Sequence, residues 1–170
     1  MESNENRTFE LFDGGADGGT YDNGVLSVFV PNGWKAFRGI DPEGNETPQK
    51  VFVYRGIEAQ TDVFTHAGVY ICFYREDESY FTTRDFYSDV EEIEPFTLGR
   101  HRWNGYTCTS LGYPYLMLES EGAPYALLLM ILLENGEHRI SFEEPDVQRI
   151  IESIAPNGYH PDNINTSKKG

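Results

Sequence analysis

Gly68-Val69-Tyr70-Ile71-Cys72-Phe73-Tyr74 is rich in β-branched and aromatic residues, which marks it as a strand. Successive side chains on a strand point to opposite faces. Val69, Ile71 and Phe73 therefore share one face, and Tyr70, Cys72 and Tyr74 share the other. Both faces are apolar, so the sequence predicts a strand covered on both sides, in a sheet with a layer on each face.

More strands lie on either side of this one. Val25-Leu26-Ser27-Val28-Phe29-Val30 is closed by the turn residues Pro31-Asn32-Gly33, and Trp34-Lys35-Ala36-Phe37 resumes beyond them. Asp41-Pro42-Glu43-Gly44-Asn45 is a polar turn ahead of a strand over Lys50–Tyr54. Downstream, Asn104-Gly105 and Asn135-Gly136 each supply two residues that tolerate positive φ, as a type I′ hairpin turn requires. The first predicts a hairpin between Leu98–Trp103 and Tyr106–Leu111. The second predicts one between Ala126–Leu133 and His138–Phe142. A turn at Glu121-Gly122 follows a strand over Tyr115–Ser120. The apolar run Ala126–Leu133 has helix propensity too, but the hairpin signal directly after it favours a buried central strand.

Two helices are expected. Ser79–Val90 has a capping Ser79 and the i, i+4 pairs Phe86/Val90 and Thr83/Tyr87. The second starts at Pro145, a residue suited to the first helical position, with Asp146 in the first turn. Val147, Ile150, Ile151 and Ile154 fall at i, i+3, i+4 and i+7, which is one apolar stripe, and Pro156 ends the helix. The predicted fold is α+β: a central antiparallel β-sheet sandwiched with helices, the C-terminal amphipathic helix packed on the sheet. Residues 1–19 read as a flexible acidic lead, 20–156 as a single α+β domain and 157–170 as a loose tail.

The chain has 170 residues, of which 39% are hydrophobic and 14% aromatic. That is enough for a core without disulfide or metal support and too apolar for disorder. The net charge of −15 argues against nucleic acid, whose phosphates need a basic face. No apolar run reaches the 18 residues of a membrane span. The first residues lack a basic start and an apolar stretch, so no signal peptide is read there and the chain as written is cytoplasmic. Had an export leader preceded it, the chain would be exported or lipid-anchored.

No Gly-x-Ser-x-Gly elbow, Walker loop, His-Glu-x-x-His or Cys-x-x-Cys occurs. Cys72 and Cys108 sit in predicted strands and read as buried, inert thiols. His66, His101, His138 and His160 have no metal-ligand spacing, so no metal and no cofactor is expected. Asp13, Asp17 and Asp22 lie in a Gly-rich segment that reads as a solvated linker rather than a Ca²⁺ loop. The acids from Glu76 to Glu94 read as a solubilising surface, with a face for a basic partner or a divalent cation as the sharper alternative. Arg100-His101-Arg102-Trp103 is the most unusual local feature of so acidic a chain. Its two guanidiniums on one strand face form a candidate site for a carboxylate or phosphate, with His101 and Trp103 on the other face. The bland counterpart is cross-strand pairing with the protein's own acids.

Val28-Phe29-Val30-Pro31-Asn32-Gly33-Trp34, the paired hairpins from Leu98 to Phe142 and the closing helix Val147–Ile154 resemble the PsbP-like family. Its relatives include the extrinsic protein of the oxygen-evolving complex and a Ran-binding import factor. The resemblance spans most of Gly24 to Ala155. It implies an antiparallel sheet between helices and a binding or scaffold role, and it transfers no functional residue. The function expected is a non-catalytic binding or protein-interaction module whose partner is a protein or a small anionic ligand. The alternatives are a small hydrolase with a site assembled around His101 or Cys108, and the soluble domain of an exported lipoprotein.

Overall fold

The computed structural model describes residues 11–80, 84–122 and 124–158. The early strands are β1 (Phe12–Asp13), β2 (Gly19–Asp22), β3 (Leu26–Val30), β4 (Trp34–Ile40), β5 (Glu46–Arg55) and β6 (Gly68–Tyr74). Next come β7 (Ser88–Leu98), β8 (His101–Ser110), β9 (Tyr113–Glu121) and β10 (Ala126–Leu132). The short strands β11 (Glu134–Asn135) and β12 (His138–Arg139) precede helix α1 (Pro145–Ser153), and β13 (Ala155–Pro156) follows it. Two 3-10 turns cover Gln60–Phe64 and Arg84–Phe86.

Eight strands make one antiparallel sheet in the order β1-β4-β5-β6-β10-β9-β8-β7. The most apolar segments of the chain, β6 and β10, lie side by side at its centre, with Ile71 opposite Leu129 and Val69 opposite Ile131. A second sheet, β13-β3-β2, and helix α1 cover one face of the large sheet. Between these layers lies the main core. It contains Val69, Ile71 and Phe73 of β6, Leu127, Leu129 and Ile131 of β10, Leu26, Val28 and Val30 of β3, and Val147, Ile150 and Ile151 of α1. Burying each such aliphatic side chain stabilises the fold by about 1.5–3 kcal/mol. Polar groups fix the helix in place. The Ser153 hydroxyl accepts a 2.7 Å hydrogen bond from the Phe29 amide, and the Trp34 indole donates to Asp146 at 3.3 Å.

The helix-sandwiched α+β expectation is corrected by this arrangement. Strands hold 54% of the described residues and helices 12%, so the fold is β-rich. A helix layer on the second face fails because Ser79–Val90 is not a helix. Within it, Arg84–Phe86 forms a 3-10 turn and β7 begins at Ser88; residues 81–83 lie outside the described residues. Its aromatic and β-branched residues are weak helix formers. The acids that follow instead line an edge strand, where Asp89, Glu91, Glu92 and Glu94 are exposed and two register shifts break the ladder. Charge and bulges of this kind protect a sheet edge from further pairing.

The Asn104-Gly105 hairpin is also corrected. Both residues lie inside β8, opposite Glu119 and Leu118 of β9. A Cβ on Gly105 would meet the Met117 carbonyl oxygen at 2.5 Å and Leu118 Cδ2 at 2.6 Å, so glycine is there to let the strands and the Leu118 side chain close up. The chain turns instead at Gly99-Arg100, where Gly99 has φ +69°. At Asn135-Gly136 the chain does turn, but the hairpin joins the short strands β11 and β12, with Gly136-Glu137 as its turn residues, whereas the expected partner Ala126–Leu132 pairs with β6 and β9. Residues 11–19, assigned to the lead by the sequence, supply β1, paired with β4, and the first residue of β2.

Candidate functional site

Among the described residues, no helix or sheet layer covers the second face of the large sheet. A row of side chains crosses it in register: Phe37 of β4, Phe52 of β5, Tyr70 of β6, Met130 of β10, Met117 of β9 and Tyr106 of β8. Phe37 and Phe52 stack at 4.9 Å, and Phe52 and Tyr70 at 4.1 Å. In the neighbouring row Lys50 lies opposite Cys72, and Cys72 opposite Leu128. Phe52, Tyr70, Leu128 and Met130 are only half-buried.

Two segments cover the flanks of this face. On the β4–β5 side Leu11, Val63 and Ile57 pack on Phe37, Phe52 and Tyr54. On the β9–β8 side Tyr80 stacks on Tyr74 at 5.0 Å and donates to Glu119 at 2.7 Å, and the Arg84 guanidinium sits 4.8 Å from the Tyr106 ring centre. Each flank leaves a phenylalanine in solvent, Phe64 at 77% and Phe86 at 80% exposure. An open strip over β5, β6 and β10 remains between them. It runs into a cleft of about 860 Å³ lined by Thr47, Gln49, Lys50, Tyr74, Glu78 and Tyr80.

The charge of the strip is simple. Burial pushes the Tyr70 phenol and the Cys72 thiol up, and Tyr80 is pushed up to about 12, first by its hydrogen bond to Glu119. These groups are neutral at pH 7. Lys50 has no hydrogen bond or ion pair among the described residues and supplies the positive charge of the strip. Cleft carboxylates are tied into the fold. Glu78 Oε1 accepts from the Arg75 amide at 2.7 Å and from Gln49 Nε2 at 2.8 Å. Asp41 Oδ1 accepts from the amides of Glu43 and Asn45 at 3.0 and 2.9 Å.

The sequence-predicted residues Arg100, His101, Arg102 and Trp103 sit at the β7–β8 turn. His101 and Trp103 point into the core at 3% and 0% exposure, while Arg100 and Arg102 are exposed. Arg102 Nε reaches Glu121 Oε1 on the next strand at 3.5 Å, the cross-strand pairing weighed above. His101 Nε2 is 2.8 Å from the Tyr125 hydroxyl and its Nδ1 is buried without a hydrogen bond. Burial, and then the charge of Arg100, lower its pKa to about 4. Cys108 pairs opposite Tyr115 on the open face of β8, whereas His101 faces the core. The two residues named for a hydrolase are therefore on opposite faces of one strand, seven positions or about 23 Å apart.

Other candidates meet structural partners. Asp13 and Asp22 accept the amides of Gly15 and Gly24, both at 2.9 Å, closing their own turns. His66 and His138 stack at 3.8 Å, joining the first 3-10 turn to the β11–β12 hairpin. His160 lies outside the described residues. Among the described residues no three His, Cys, Asp or Glu side chains gather as a metal site, and no helix is long and apolar enough to cross a membrane. Sequence reasoning missed Lys50, Phe52 and Met130 as site residues. The available signal was the apolar Tyr70-Cys72-Tyr74 face, which was assigned to a covering layer.

No protein-family model matches the chain, and no curated protein matches it. The likeness to the PsbP-like family rests on the residues quoted for it.

Proposed function

We propose that the protein is a non-catalytic binding module that takes its ligand on the open strip of the eight-stranded sheet. The observation that carries this reading is the Phe52-Tyr70-Met130 row, an apolar surface at the centre of the sheet left half-exposed. Contiguous apolar surface bordered by polar groups marks interaction sites on soluble domains. The likeness to a mostly non-enzymatic family supports the same reading. A hydrolase is less well supported, because His101 and Cys108 face opposite ways and neither is paired with a carboxylate among the described residues.

The test is a thermal-shift screen of small anions, nucleotides, metabolites and peptides, with each hit mapped by NMR. A ligand that binds the folded state raises Tm by mass action. The expected hits perturb Tyr70, Met130, Leu128 and Tyr74. Hits that map to the Arg100–Arg102 turn, or a compound that is turned over, would overturn the reading.

A further inference from the structure

We infer that the cleft at the end of the open strip binds a small aromatic monocarboxylate. This rests on the proposed binding role of the face and specifies its ligand. Three features of the lining narrow the chemistry. First, Lys50 reaches the cleft from β5 with no ion-pair partner among the described residues and lies opposite Cys72 of β6. An ammonium that makes no ion pair can give a ligand carboxylate a charge-assisted hydrogen bond.

Second, the lining also holds the stacked pair Tyr74 and Tyr80, with Pro42 and Phe73. Tyr80 is fixed by its hydrogen bond to Glu119, so a flat ring can stack without first ordering that side chain. Third, Asp41 and Glu78 line the same cleft. Each uses one oxygen to accept two hydrogen bonds from the protein. The two carboxylates repel added negative charge, a dianion such as a phosphate monoester about twice as strongly as a monoanion, so a monoanion is the anion opposed least at Lys50. At about 860 Å³ the cleft has the size of a small-molecule site.

The experiment is an NMR titration of the full chain with benzoate and indole-3-acetate, alongside benzyl alcohol, benzylamine and phenyl phosphate. The two carboxylates are expected to shift the resonances of Lys50, Tyr74 and Tyr80 and to bind more tightly than the other three. Lys50→Met should weaken carboxylate binding by about tenfold or more, the scale of one charge-assisted hydrogen bond, and Lys50→Arg should retain it. Unchanged binding by Lys50→Met overturns the inference, as does the absence of shifts with either carboxylate. Tighter binding of benzylamine, benzyl alcohol or phenyl phosphate at the same tyrosines overturns the ligand class alone and leaves the binding role of the face standing.

Discussion

Tyr70 and Ile71 are neighbours on the central strand β6 and meet opposite environments. Ile71 is 1% exposed within the core, whereas Tyr70 lies half-exposed against Phe52 at 4.1 Å on the open face. Ile71→Ala leaves a cavity in a closed core and is expected to cost about 2–5 kcal/mol. Tyr70→Ala removes a half-exposed ring and one stacking partner and should cost about 1–2 kcal/mol. Urea denaturation of both variants checks this. Equal losses would mean that the two faces are equally covered.

The stripe on α1 predicts the effect of Ile150→Asp. Ile150 is fully buried between α1, β3 and the large sheet. A carboxylate there would be unpaired, a cost large enough to remove most of the stability of a domain this size. Loss of the cooperative melting transition is expected. An unchanged melting curve would show that α1 does not seal the core.

His101 predicts a pH dependence with a definite sign. Its pKa is about 4 in the folded chain, against 6.5 ordinarily. Between these values the unfolded chain binds a proton that the folded chain does not, so stability falls as pH drops from about 6.5 towards 4. The full effect is about 3 kcal/mol, complete once both states are protonated. Measured by Tm across that window, the wild type should lose more stability than His101→Gln. Parallel pH curves for the two would contradict the assignment.

The two thiols should be silent in the native state. Cys72 and Cys108 are 7% and 4% exposed, and burial raises both pKa values. Thiolate, not thiol, is the nucleophile. Ellman's reagent at pH 8 is expected to label neither residue until denaturant is added, and then both. Rapid labelling of the folded protein would contradict this.

Leu111 predicts a gain in stability. It lies in the β8–β9 turn with φ +53° and 95% exposure. A leucine in the left-handed region is strained and here gains no burial in return. Leu111→Asn, a residue that tolerates this conformation, should stabilise the fold by about 0.5–1 kcal/mol. At this chain length that raises Tm by about 1–4 °C.

Much of the fold is legible in the sequence because its signals are local. The apolar runs 68–74 and 126–133 become the two central strands β6 and β10, and the spacing of Val147, Ile150 and Ile151 forms the buried stripe of α1. The failures depend on partners distant in sequence. Asn104-Gly105 carries a turn signal, but Gly105 is needed for the close approach of Met117 and Leu118. Leu111-Gly112 makes the neighbouring turn although leucine carries no such signal. The second face of β6 reads as buried because Tyr70, Cys72 and Tyr74 are apolar. Among the described residues their cover comes from the flanks, through Phe52, Tyr80 and the segments that carry them. That difference creates the candidate site, and no periodicity encodes it.

The most direct test of the binding role is the double variant Tyr70→Ser, Met130→Ser, compared with wild type in ligand-induced thermal stabilisation. Both side chains sit on the open face, so the variant is expected to fold, with a Tm lowered by several degrees. It should lose most of the Tm increase that wild-type ligands produce. A folded double variant that keeps the full increase would place the binding site elsewhere and contradict the account.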